Sequence, residues 1–356
     1  MTSSVKHSRT IRQLALAVVI ALLGGMLAAC SGSATAQTAG ATVVNVGYFP
    51  NVTHAPGLLA DAEGFLTKRL GVAGATVATK SFNAGPDVIQ AILSGSLDIS
   101  YIGPNPTVTA YIQSRGAGVR VIAGSTSGGA SLVVRPDITS AAELRGRKLA
   151  TPQLGNTQDI ALRYWLGTQG LTATKDGGGD VSILPQANSA AAQAFTSGQI
   201  DGAWVPEPYA TRLVQAGGTV LVDEATLWPD GKFVTTNVIA RTDFVQQHPE
   251  LVRAFLEAHL DALALIKADP AAARTAVASQ IKKITEQEIS PDLLKASWKN
   301  LAFTADPLAA TLKTSAEHAA QVGLLPDKPS DGFARLWEVG LLNQALAARG
   351  EAPVAT

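Results

Sequence analysis

From Val43 onward, short β-branched runs alternate with stretches of helical period. That alternation narrows the fold, because it is the pattern of a largely parallel sheet with helices on its faces. The runs are residues 43–48, 75–82, 98–102 and 119–123. Between them lie a helical pattern with Leu58, Leu59, Ala62, Phe65 and Leu66 on one face, a second with Val88, Ile89, Ile92 and Leu93, and a third opening after Pro104. This completes one α/β lobe. After a break at 125–129 a second, smaller series follows, with strands at 131–135, 148–151, 181–184, 202–205 and 219–222 and helices from Thr157 and near Ala190. Residues 233–240 read as a return strand. The helical last third is clearest where Val252, Phe255, Leu256, Leu260, Leu263 and Ile266 share a face behind His248-Pro249-Glu250. A chain that returns to cover its first lobe is expected, with lobe 1 formed by 42–131 plus 237–356 and lobe 2 by 132–236.

The first 41 residues stand apart. Lys6, Arg9 and Arg12 precede an apolar stretch, 14–27, that is shorter than the roughly 20 residues of a spanning helix. It ends in Leu27-Ala-Ala-Cys30, and Cys30 is the single cysteine of the chain. This reads as a lipoprotein signal peptide, 1–29, with Cys30 as the lipidated first residue; an uncleaved membrane anchor is the competing reading. Residues 31–41 are small and polar and form a tether. With its one thiol at the cleavage site, the remaining chain has no disulfide, cysteine nucleophile or thiolate metal site.

Loss of the leader removes three basic residues and leaves 25 basic against 28 acidic ones, so nucleic acid is not an expected partner. There is no His-Glu-x-x-His, Gly-x-Ser-x-Gly, Walker A or Rossmann motif, and neither a metal nor a cofactor is expected. His54, His248, His259 and His318 are the histidines beyond the leader. His259 and His318 lie in helical runs and read as structural or solvent-facing.

In α/β sheets ligands sit beyond the carboxyl ends of the strands, so the turns that follow each strand are the candidate site. After the first strand, Asn51, Thr53 and His54 offer donors at a helix start, although Thr53 as a plain cap accounts for part of this. Gly103 and Asn105 open the helix after the third strand. Ser127, Gly128 and Gly129 lie at the lobe junction, as ligand contacts or as a hinge loop. Gln153, Gly155, Asn156, Thr157 and Gln158 open a long helix, whose amides carry partial positive charge and attract anions. Trp204 and Glu207, in Trp204-Val-Pro-Glu-Pro-Tyr, bring an aromatic wall and a carboxylate to the same edge. Glu207 either meets a cationic ligand group or holds the turn; Trp204 either lines the ligand or packs in the core. No arginine or lysine occurs in these segments, so an anion would be held by neutral donors and helix dipoles.

Several segments, in order, resemble the periplasmic-type solute-binding lipoproteins of ABC importers for aliphatic sulfonates, taurine and nitrate. They are Val44-Asn-Val-Gly-Tyr-Phe-Pro, Asn83-Ala-Gly-Pro-Asp-Val-Ile-Gln-Ala-Ile-Leu-Ser-Gly-Ser-Leu-Asp, Ile102-Gly-Pro-Asn-Pro, Gly124-Ser-Thr-Ser-Gly-Gly-Ala, Thr151-Pro-Gln-Leu-Gly-Asn-Thr-Gln-Asp, Ala203-Trp-Val-Pro-Glu-Pro-Tyr and His248-Pro-Glu-Leu-Val-Arg-Ala-Phe. The resemblance implies a type II periplasmic-binding-protein fold: two α/β lobes joined by two crossover strands that close on one small solute and present it to a permease and its ATPase. It implies that the turns at 50–56, 103–105, 127–130 and 155–158 face the ligand. A monomer, exported and held to the membrane by lipid, is expected. The family also includes receptors for nitrate, bicarbonate and small nitrogen heterocycles, and the architecture is similar to that of enzymes making pyrimidine or menaquinone precursors. A sensory or adhesive surface lipoprotein is a third class.

Overall fold

The computed structural model describes residues 42–325, 329 and 331–356. The leader, Cys30 and the tether lie outside them. Among the described residues no helix is long and apolar enough to cross a membrane.

Among the described residues eleven strands form two sheets. The first contains β1 (Thr42–Tyr48), β2 (Ala75–Ser81), β3 (Ile99–Ile102) and β4 (Val119–Gly128); the second contains β5 (Ala130–Val134), β6 (Lys148–Thr151), β7 (Ser182–Pro185), β8 (Gly202–Pro206) and β9 (Thr219–Asp223). The chain then returns to the first sheet with β10 (Val234–Arg241) and β11 (Leu301–Phe303). The strand orders are β11-β4-β10-β3-β1-β2 and β7-β6-β8-β5-β9. Strand β1 pairs in parallel with both β2 and β3, with Val44 opposite Val77. Strand β10 runs antiparallel between β3 and β4. Each sheet is thus mixed, and each keeps a parallel portion whose carboxyl edge faces the site.

The alternation of side chains along a strand supplies both faces of each sheet with core. On β10, Val238 and Ala240 enter one apolar cluster and Ile239 the other. On β5, Leu132 and Val134 point to one side and Val133 to the opposite one. The helix Pro249–Ala268 closes one face of the first sheet with Val252, Phe255, Leu256 and Leu260, all buried, and Leu263 half-buried. At roughly 1.5–3 kcal/mol for each large apolar side chain, that stripe anchors the returning chain. Arg69 and Arg349 both pair with Asp261 on its outer side, at 2.7 Å each.

Two features differ from the sequence reading. Residues 125–128, expected as a break, are the second half of a ten-residue strand. Small polar residues hold strand geometry there because β10 lies on one side and β11, which had no readable pattern in its three residues, on the other. The chain passes to the second sheet at Gly129 and back before Val234, so Ala130 and Ser131 pair in the second sheet and residues 234–236 in the first.

Candidate binding site

The turns after β1, β2, β3, β6 and β7 converge on a narrow cavity of about 30 Å³ between the two sheets. Asn51 leads from β1 into a single 3₁₀ turn, Val52–His54, followed by the helix Ala55–Ala62. Asn51, Thr53 and His54 are all buried and line the cavity. The His54 Nδ1 accepts a hydrogen bond from the Phe49 amide at 3.3 Å, which places the proton of the neutral ring on Nε2. Burial pushes its pKa down to about 3, so the ring stays neutral and offers a donor rather than a charge.

Gly103 begins the helix Pro104–Gln113 and touches the other lobe. A Cβ there would lie 2.4 Å from the Thr157 hydroxyl, which explains why this position has no side chain. Opposite, the helix Thr157–Thr168 is capped by Asn156, whose Oδ1 accepts from the Asp159 amide at 2.9 Å. Asn156, Thr157 and Gln158 line the cavity. Asp159 does not oppose an anion there, since Arg163 pairs with it at 3.0 Å and both side chains are buried. Thr151 and the Gly155 amide donate to the same carboxylate, at 2.9 Å each.

The sequence reading did not single out Asn83, Gly85, Asn188 or Thr235, which also line the cavity. Asn83 and Asn188 follow β2 and β7, so the rule that found Asn51 and Gly103 applies to them equally. Four helices therefore present their N-termini: Gly85–Leu93, Pro104–Gln113, Thr157–Thr168 and Asn188–Thr196. Each terminus carries roughly half a positive charge, and no lysine, arginine, aspartate or glutamate lines the cavity. Among the described residues, the Thr157 Oγ1 and the Asn188 Oδ1 are buried without a hydrogen-bond partner. Buried polar atoms are ordinarily paired, and these two border the cavity. The field, the donors and the lack of lining charge together suit a compact anion.

The other candidate residues lie outside this lining. Asn105 faces the helix Ala309–Gln321 and donates to the Ser315 carbonyl at 2.8 Å. Ser127 accepts from the Phe233 amide, binding the two crossing segments together. Gly128 and Gly129 have φ of 81° and 75° at the crossing, and a Cβ on Gly129 would meet Leu301 at 2.1 Å. Gly155 has φ of 75° and open space where its Cβ would be, so the turn and not close approach requires it. Gln153 reaches across the lobes to Asp87 at 3.4 Å. Trp204 is fully buried in the second-lobe core, its Nε1 donating to Glu224 at 2.8 Å. Glu207 holds the turn: it accepts from the Thr211 amide and hydroxyl and from Asn300 Nδ2 at 2.6 Å, while its carbonyl accepts from the Val52 amide at 3.1 Å. Burial raises the pKa of this carboxyl.

Two α/β lobes meet over an uncharged, donor-rich cavity, and this is the two-lobed fold of periplasmic binding proteins. Residues 37–282 match the NMT1-like family, and the chain belongs to that family. It is 29% identical over 225 residues to the taurine-binding periplasmic protein of Escherichia coli (strain K12), covering 62% of this chain and 66% of that one. The chain thus spans just under two thirds of that relative. Its fold is similar to that of the alkanesulfonate-binding protein SsuA from Xanthomonas axonopodis pv. citri, solved bound to MOPS, with a TM-score of 0.67 and 19% identity over 89% of this chain and 100% of that one. The periplasmic nitrate-binding protein NrtA from Synechocystis PCC 6803 gives a TM-score of 0.71 at 19% identity, over 86% and 89%.

Proposed function

We propose that the protein is an extracytoplasmic receptor of an ABC importer that binds a small anion, an aliphatic sulfonate or taurine, and delivers it to the permease and its ATPase by closure of the two lobes. The observation that carries this reading is the convergence of four helix N-termini on a cavity with no lining charge, where the Thr157 hydroxyl lacks a partner. An anion bound there accepts hydrogen bonds from neutral donors, each worth roughly 1.5–3 kcal/mol. The ligand-facing residues are Asn51, Thr53, His54, Gly103, Asn156, Thr157 and Gln158, joined by Asn83 and Asn188. The unpaired Asn188 Oδ1 supports a ligand that also carries a donor, such as the taurine ammonium. The small cavity equally supports nitrate or bicarbonate as a second reading. Catalysis is not part of the proposal. Cys30 is proposed as the lipid attachment point, with 1–29 removed and 30–41 as tether.

Native mass spectrometry of the purified protein with taurine, ethanesulfonate, nitrate, bicarbonate and a heterocyclic amine tests this. Retention of taurine or ethanesulfonate is the expected result. Retention of the amine alone, or of no compound, refutes the anion assignment.

A further inference from the structure

A second cavity, of about 310 Å³, lies between the lobes at a different place. One wall is the second-lobe helix Thr157–Thr168 with Tyr164 and Trp165; another is the return segment with Glu224 and Trp228; the third is the first-lobe helix Ala309–Gln321 with His318. The Tyr164 and His318 rings stack across the lobes, with centroids 3.5 Å apart. Trp228 stacks on Phe233 and leans against His318, with centroids 5.7 and 5.5 Å apart. This aromatic enclosure shares no residue with the anion cavity.

Unlike the first cavity, it has a charged side chain in its lining. Glu224 is the one Asp, Glu, Lys or Arg among the lining residues, is 2% exposed, and makes no salt bridge among the described residues. Its polar neighbours are the indole Nε1 of Trp204 at 2.8 Å and the Trp228 side chain. Indoles stabilise a carboxylate but leave its charge uncompensated. A buried carboxylate without a cation is costly, and a cation over tryptophan or tyrosine rings is favoured by the ring quadrupole. Burial, with the neighbouring Asp223 charge adding to it, pushes the Glu224 pKa up to about 7, the direction an added cation would reverse.

We infer that this cavity is a second ligand site that takes a small organic cation, an amine or quaternary ammonium group, with Glu224 as its counter-charge and Tyr164, Trp165 and Trp228 as its walls. The inference does not depend on which anion fills the first cavity. Because residues of both lobes form it, a bound cation also bridges them.

The test is calorimetric titration of the purified protein with choline and, separately, with its uncharged isostere 3,3-dimethylbutan-1-ol. Saturable one-to-one choline binding is expected, at least tenfold tighter than the isostere, and retained when taurine is present in excess. Glu224→Gln and, independently, Trp228→Leu should each weaken choline at least tenfold while leaving the taurine titration unchanged. Absence of saturable choline binding, equal affinity for the isostere, displacement by taurine, or wild-type choline affinity in either variant would overturn the inference. Loss of taurine binding with choline binding intact counts against the anion receptor and supports the second site. Should Glu224→Gln fail to fold, Trp228→Leu and the isostere decide the matter.

Discussion

Thr157→Val separates ligand recognition from folding more cleanly than any other change at the site. Valine keeps the β-branch and nearly the volume of threonine, and the Asn156 cap on the Asp159 amide is untouched. The hydroxyl it removes is buried and has no hydrogen-bond partner among the described residues. Nothing is therefore lost from the ligand-free fold, whose stability should stay within about 0.5 kcal/mol of the wild type. If the hydroxyl donates to a bound anion, its loss costs roughly 1.5–3 kcal/mol, an increase in Kd of about 10- to 150-fold. The backbone amides at the same helix start survive, so binding weakens without vanishing. Isothermal titration with taurine reads the Kd directly, and thermal unfolding with and without ligand gives an independent check. At 100 times the wild-type Kd the ligand stabilises the wild type by about 2.7 kcal/mol; after a 100-fold loss of affinity the same concentration adds only about 0.4 kcal/mol. A variant with wild-type Kd and the full thermal shift would place the anion away from Thr157 and refute the reasoning.

Other substitutions probe the frame around the cavity. In Gly103→Ala the new Cβ would lie 2.4 Å from the Thr157 hydroxyl and wedge the lobes apart, so anion affinity should fall at least tenfold and small-angle scattering should record less compaction on ligand addition; undiminished compaction would show that the lobes meet elsewhere. Arg163→Met leaves the Asp159 charge buried and unpaired, and urea unfolding should show a loss of about 3–5 kcal/mol; a loss under about 1 kcal/mol would mean that the pair is not the balance of that charge. Glu224 also makes stability depend on pH. Burial raises its pKa from 4.5 to about 7, so the folded state holds a proton that the unfolded chain has released between those values. The associated stability is complete below about pH 4.5 and falls as pH rises to 7, by roughly 3 kcal/mol in all. His54 and His259, depressed to about 3 and about 4, act in the opposite sense and lose stability as pH drops below 6.5. Glu224→Gln removes the first contribution and keeps the second, so its advantage over the wild type should grow between pH 4.5 and 7; a difference independent of pH would show that Glu224 titrates normally.

Hydrophobic periodicity and turn chemistry are local properties, and they carried most of the architecture into view. The runs that became β1, β3, β5, β6 and β8, and the buried stripe of Pro249–Ala268, are readable because each fills its own core-facing side. The rule that ligands gather at strand ends brought Asn51, Thr53, His54, Gly103, Asn156, Thr157 and Gln158 to one cavity. Side chains whose partners are distant in sequence were not legible. Glu207 stands directly after β8, as ligand residues do, and Trp204 within it, yet they turn to Asn300 and Glu224, 93 and 20 residues away. Strand β11 has three residues and exists because β4 offers it an edge.

The sequence by itself determined the alternating elements, the uncharged character of the candidate turns and the donors at the helix starts, since each depends on neighbours within a few residues. Only the tertiary structure decided which donors share a cavity, and that Glu224 is enclosed among aromatic rings contributed by both lobes. Burial and the balance of charge arise from contacts between segments far apart in the chain, and folding alone brings those segments together.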